Sequence, residues 1–78
     1  MVIPLYKITA GNEAEIIWIA SEESMAQRLN LLGFTPGTRV RLVLDSPRDG
    51  LKAYLVQNSL VALRDSTTHE ILVRQVTS

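Results

Sequence analysis

The chain has 78 residues, 46% of them apolar and 21% charged, with eight basic residues against eight acidic ones. So short a chain supports one core, burying about 60–65% of its unfolded surface, and is expected to form a single domain over residues 1–78. The lack of cysteine excludes disulfide staples, thiolate metal centres and thiol nucleophiles, and zero net charge argues against nucleic acid, which is held mostly by a basic footprint.

In chain order, Met1 to Ala10, with Pro4, Leu5 and Ile8, reads as a short leading segment closed by a turn at Gly11-Asn12. Glu13 to Ala20 is rich in β-branched and aromatic residues and is predicted to be a strand. Its second half does not alternate cleanly, so either both faces are covered or one apolar face is left for a partner. A helix follows. Ser24 and Gln27 have capping-box spacing, and Met25, Leu29 and Leu32 recur at i, i+4 and i+7 as one apolar stripe. Glu22 and Glu23 favour its N-terminus. Gly33 supplies a left-handed stop, and Phe34 is the apolar residue that packs back on the last turn.

Thr35-Pro36-Gly37-Thr38 predicts a type II turn. Arg39 to Leu44 then reads as a strand with Val40, Leu42 and Leu44 on one face and Arg39, Arg41 and Val43 on the other. Asp49-Gly50 predicts a hairpin loop with positive φ at both residues, returning Leu51 to Gln57 antiparallel. Asn58-Ser59 marks a further turn before a strand over Leu60 to Arg64. Asp65 to His69 suits one turn of helix, and Ile71 to Val76 closes the chain as a fifth strand with Ile71 and Val73 on one face. The architecture implied is mainly β, a small bent antiparallel barrel of about five strands with one inserted short helix.

Chemistry is sparse. His69 is the single histidine, which excludes the usual zinc sites, and His69-Glu70 is the nearest approach to a ligand pair for weakly held Fe²⁺ or Mn²⁺. No cofactor is expected. The serines fall at caps and turns, no glycine-flanked nucleophile elbow exists, and no glycine-rich phosphate loop is present. An enzyme is not expected. Arg28, Arg39, Arg41, Arg48 and Lys52 could gather on one side as a basic patch, against which stands the zero net charge. No apolar run approaches the ~20 residues that span a bilayer, and the N-terminus lacks a secretory layout, so direct membrane insertion is not expected.

The order of signals resembles a known family. Gln27 to Val40 (Gln-Arg-Leu-Asn-Leu-Leu-Gly-Phe-Thr-Pro-Gly-Thr-Arg-Val) is similar to the signature R-L-x-x-L-G-h-x-P-G-x-x-h, h being apolar, of FeoA, the small ferrous iron transport protein A. Ile8 to Gly11 is similar to the family's opening turn, Ser46-Pro47 to its strand end, and Ala62 to Arg64 with Ile71 to Val73 to its closing pattern. The resemblance runs from Pro4 to Val76. It implies an SH3-like barrel, a cytoplasmic location and an accessory role bound to FeoB, the membrane GTPase that transports ferrous iron. With no helix-turn-helix ahead of it, a stand-alone protein is expected over a metal-dependent repressor's appended domain; the alternative is a metal-sensing or regulatory module of that kind.

The motif residues Leu29, Leu32, Gly33, Pro36 and Gly37 explain themselves as fold determinants, with Leu29 and Leu32 anchoring the helix. They locate no binding surface. Ala10, Asn58 and Thr68 depart from the family's usual residues, and Trp18 and Leu72 stand where it tends to be polar. Trp18 and Leu72 are therefore either a contact patch for a partner or a second copy, or are turned inward by barrel twist. Arg39 and Arg41 are the accompanying candidates for partner contact.

Overall fold

Six strands pair antiparallel in one sheet, in the order β1-β6-β2-β3-β4-β5, in a computed structural model that describes residues 1–76. They are β1 (Val2–Pro4), β2 (Glu13–Ile19), β3 (Arg39–Ser46), β4 (Leu51–Val56), β5 (Ser59–Arg64) and β6 (Ile71–Val76), with α1 (Glu23–Leu31) between β2 and β3 and α2 (Asp65–Thr68) between β5 and β6. The leading segment is thus a sixth strand. The sheet is bent but does not close into a barrel: β1 and β5 share no ladder. β1 is three residues long and ends in a proline without an N–H. The seam beside it is filled by the 3₁₀ turn Leu5–Lys7, which contacts both β6 and α2.

The inner face carries the core: Leu5, Ile8, Ala14, Ile16, Leu29, Phe34, Val40, Leu42, Tyr54, Val56, Leu63, Ile71 and Val73. Phe34 meets Tyr54 edge to face at 6.2 Å. Two bulges decide which residues join it. On β2, Ile16 pairs with Val73 and Trp18 with Leu72, so Ile17 is an extra residue. On β3, Leu42 pairs with Tyr54 and Leu44 with Ala53, so Val43 is extra. Each inserted residue reverses the alternation that follows it. Strict period two would place Trp18 with Ala14 and Ile16, and Leu44 with Val40 and Leu42, on the inner face. Both are 60% exposed instead. The expected Val40-Leu42-Leu44 face therefore ends at Leu42.

The helix starts at Glu23, earlier than the Ser24-Gln27 box implies. Glu22 is its N-cap, its carboxylate accepting from the Met25 N–H at 3.2 Å, and Ser24 sits in the first turn and donates to that same carboxylate. A carboxylate here meets both an orphan donor and the positive end of the helix dipole. The C-terminus follows the reading from sequence. Phe34 N–H bonds Leu29 O at 2.9 Å and Gly33 N–H bonds Asn30 O at 3.0 Å, the paired bonds of a Schellman stop, with Gly33 at φ +102°. Leu29 is the helix's one buried residue. Leu32 does not anchor it: the chain has left the helix by then, Leu32 is 47% exposed, and Phe34 takes the core position.

The type II turn is present, with Thr38 N–H to Thr35 O at 3.0 Å, and Ile16 bonds both Gly37 and Thr38, pinning the turn to β2. The β3–β4 loop is a 3₁₀ turn, Pro47–Asp49, in which Gly50 alone takes positive φ. The next turn lies one residue earlier than expected, at Gln57-Asn58, both with positive φ as a two-residue hairpin of matching twist requires.

A Cβ at Gly37 would meet nothing within 4 Å, whereas at Gly33 it would lie 3.2 Å from buried Val56 Cγ2 and 3.1 Å from Gln57 Oε1. Gly37→Ala should therefore cost only the backbone strain, about 1–2 kcal/mol. Gly33→Ala should cost clearly more, and urea unfolding of the two variants checks the order.

Candidate functional site

Across β1, β6 and β2 the register places Pro4 beside Leu72 and Leu72 beside Trp18. Directly opposed residues on neighbouring strands have Cβ atoms about 4.5–5.5 Å apart. The three side chains therefore form one row on the outer face, with Trp18 exposed and Leu72 half-buried. Barrel twist does not turn Trp18 inward; the Ile17 bulge turns it outward, and Ile19 takes the inner position beside Ile71.

Beside this row runs an ionic ladder. Glu15 lies 4.0 Å from Arg74, and Glu13 lies 3.8 Å from Arg39 and 3.6 Å from Arg41. Arg41 also donates to Gly11 O at 3.0 Å. Pairs this exposed are worth about 0–1 kcal/mol each. Arg39 and Arg41 are thus held by Glu13. Beyond them, the outer side of β3, β4 and β5 is apolar again, with Leu44, Leu55 and Leu60 exposed. Arg28 lines a shallow depression of about 250 Å³ with Leu31 and Leu32. Of the five basic residues weighed as a patch, Lys52 is only 6% exposed and does not join the surface.

Lys52 centres a cluster that sequence reasoning missed. Its ammonium bonds Asp45 Oδ1 at 2.9 Å, lies 3.8 Å from Asp65 and sits 4.6 Å over the Tyr6 ring. The Val43 bulge that turns Leu44 out turns Asp45 in toward Lys52. Burial alone would lower the Lys52 pKa. The Asp45 hydrogen bond and the charges of Asp45, Asp65 and Tyr6 outweigh it and hold the group above its usual 10.5. Burial, reinforced by Asp45 and Asp65, pushes the Tyr54 phenol well above its usual 10.0. Its hydroxyl has no partner among the described residues. The available signal was a lysine inside an apolar strand, Leu51-Lys52-Ala53-Tyr54.

His69 and Glu70 engage separate partners. The His69 ring stacks on Tyr6 at 4.0 Å and its Nδ1 lies 2.8 Å from Asp65 O, while Glu70 accepts from Ser21 Oγ at 2.8 Å. Among the described residues no group of three or more His, Asp or Glu converges as a metal site. No helix among them is long and apolar enough to cross a membrane.

A short antiparallel sheet bent around one core, with a glycine-capped helix inserted after its first long strand, is an SH3-like domain. A family model, the FeoA domain, matches residues 3–75. The chain belongs to the FeoA family, which is associated with ferrous iron transport. FeoA from Chlorobium tepidum superposes with a TM-score of 0.90 at 23% identity, over 96% of this chain and 71% of that one. A zinc complex of FeoA from Stenotrophomonas maltophilia, an SH3 domain protein, gives 0.78 at 27% identity over 95% and 89%. A manganese-dependent transcriptional repressor gives 0.88 at 16% identity over 96% of this chain but 41% of that one, a likeness of fold. No curated protein sequence matches the chain.

The buried cluster sets a pH dependence. Lys52 and Tyr54 both have raised folded pKa values, so the unfolded chain releases their protons first. Stability should be level through neutral pH and fall as pH rises past about 10. Tyr54→Phe removes the phenol's share and leaves no donor orphaned, so the alkaline decline should become shallower while stability at pH 7 stays within about 1 kcal/mol. Urea midpoints across pH test this; an unaltered decline in the variant would contradict it.

Proposed function

We propose that the protein is a cytoplasmic accessory of ferrous iron transport that acts by docking on the cytoplasmic part of the FeoB GTPase transporter, without turnover of its own. Family membership supplies the transport context. The observation that carries the docking reading is the outward row of Pro4, Leu72 and Trp18. A bulge presents the chain's single tryptophan to solvent where simple alternation would bury it. Exposed aromatic anchors flanked by apolar residues dominate the energetics of protein interfaces. The adjoining charges of Glu15, Arg74, Arg39 and Arg41 form the polar rim.

A second reading, a metal-sensing regulatory module, draws on the likeness to the manganese-dependent repressor. Titration with Fe²⁺ or Mn²⁺ while His69 and Glu70 are followed by NMR separates the two. Saturable shifts at both residues would favour the sensor.

Trp18→Ala should weaken capture of the purified transporter cytoplasmic domain by a factor of about 30 or more, the scale of a hot-spot residue. Its urea midpoint should be unchanged, because the ring lies outside the core. Leu72→Ala should act in the same direction. Binding that survives both substitutions would remove this surface from the function.

A further inference from the structure

The two edges of the sheet are built differently. β1 is short and ends at Pro4, whereas β5 (Ser-Leu-Val-Ala-Leu-Arg) has six residues, no proline, and no charge before Arg64. Natural proteins blunt an open edge with proline, lysine, bulges or a cover. Among the described residues no strand lies beyond β5; α2, the element that follows it directly, contacts it, and Leu60 stays exposed.

The register shows which backbone groups point away from β4. The two-residue turn Gln57-Asn58 pairs Val56 with Ser59, and Asp65 N–H bonds Gly50 O at the far end. Ser59, Val61 and Leu63 therefore point their N–H and C=O groups at β4, and Leu60 and Ala62 point theirs away from it. Leu60 is 65% exposed and Ala62 is also exposed. The outward groups are paired with the outward side chains of a strand whose cross-strand neighbour, Leu55, is exposed as well.

We propose that β5 is a self-association edge, on which two copies of the chain pair antiparallel about a two-fold axis through Val61. In that register Leu60 faces the partner's Ala62, and each of the two residues donates one backbone hydrogen bond and accepts one. A large side chain then lies beside a small one, and the Leu44-Leu55-Leu60 apolar surfaces of both copies join across the seam. Arg64 falls opposite the turn of the second copy, which keeps the two arginines at opposite ends of the ladder. Zero net charge leaves no long-range repulsion between copies. A single strand edge buries less than the ~1,200 Å² of a standard interface, so the dimer is weak, with a dissociation constant of about 0.1–1 mM.

The test combines sedimentation and amide exchange on the full chain at concentrations up to about 1 mM. Sedimentation should show a monomer–dimer equilibrium. Exchange at Leu60 and Ala62 should slow as concentration rises, while Ser59, Val61 and Leu63 stay protected throughout. Leu60→Lys, at an exposed position, should weaken association at least about tenfold without altering the fold. Trp18→Ala should leave association unchanged. The proposal is overturned if the wild type stays monomeric with freely exchanging Leu60 and Ala62 amides. A dimer that survives Leu60→Lys, or one that is lost on Trp18→Ala, overturns it equally.

Discussion

Side chains on a strand alternate, so a single inserted residue reverses the destination of everything after it. Ile17 and Val43 are such insertions, one in β2 and one in β3. Each has a consequence on both faces of the sheet. After Ile17, Ile19 enters the core and Trp18 leaves it. After Val43, Asp45 turns in to Lys52 and Leu44 turns out. Straightening either bulge with all its residues kept would drive an indole or a leucine into a packed interior, and overpacking is itself destabilising.

The Lys52 cluster depends on the second insertion. A lysine this buried is tolerated only when paired, and the carboxylate at 2.9 Å comes from the residue that the bulge reorients. Asp65 and Tyr6 add to the pairing from α2 and the first 3₁₀ turn, the two elements that fill the seam where the sheet fails to close. One cation thus ties β3, β4 and the seam together. His69 contributes by stacking on Tyr6 and lying against Asp65 O, which makes it a member of this assembly more than an isolated ligand.

Local chemistry was readable in the sequence wherever one residue type has few alternatives. Gly33 with Phe34 announced the Schellman stop, and Pro36-Gly37 the type II turn, because left-handed backbone and fixed φ restrict the choice of residue. The capping-box spacing points to Ser24, whereas the structure caps the helix with Glu22, because a glutamate can accept the same bond as a serine. The hairpin at Gln57-Asn58 was one residue off because glutamine at positive φ leaves no signature. The bulges were harder still. An extra β-branched residue looks like any other strand residue, and its one trace was the broken alternation in Ile16-Ile17-Trp18-Ile19. Barrel closure, too, was inferred from strand number, whereas the seam is set by Pro4 and the two short helical turns. The exposed row could be named residue by residue, but the lateral alignment of Pro4, Leu72 and Trp18 exists only once the register is known.

Because the chain has one tryptophan, its fluorescence reports the bulge without interference from another indole. The decisive measurement is iodide quenching of Trp18 emission in the folded monomer, compared with the same chain in urea. An outward-facing Trp18 predicts a solvent-like emission maximum and nearly equal quenching in both states. A blue-shifted, quencher-protected emission that opens only on unfolding would place the ring in the core, and would contradict both the bulge geometry and the docking surface built on it.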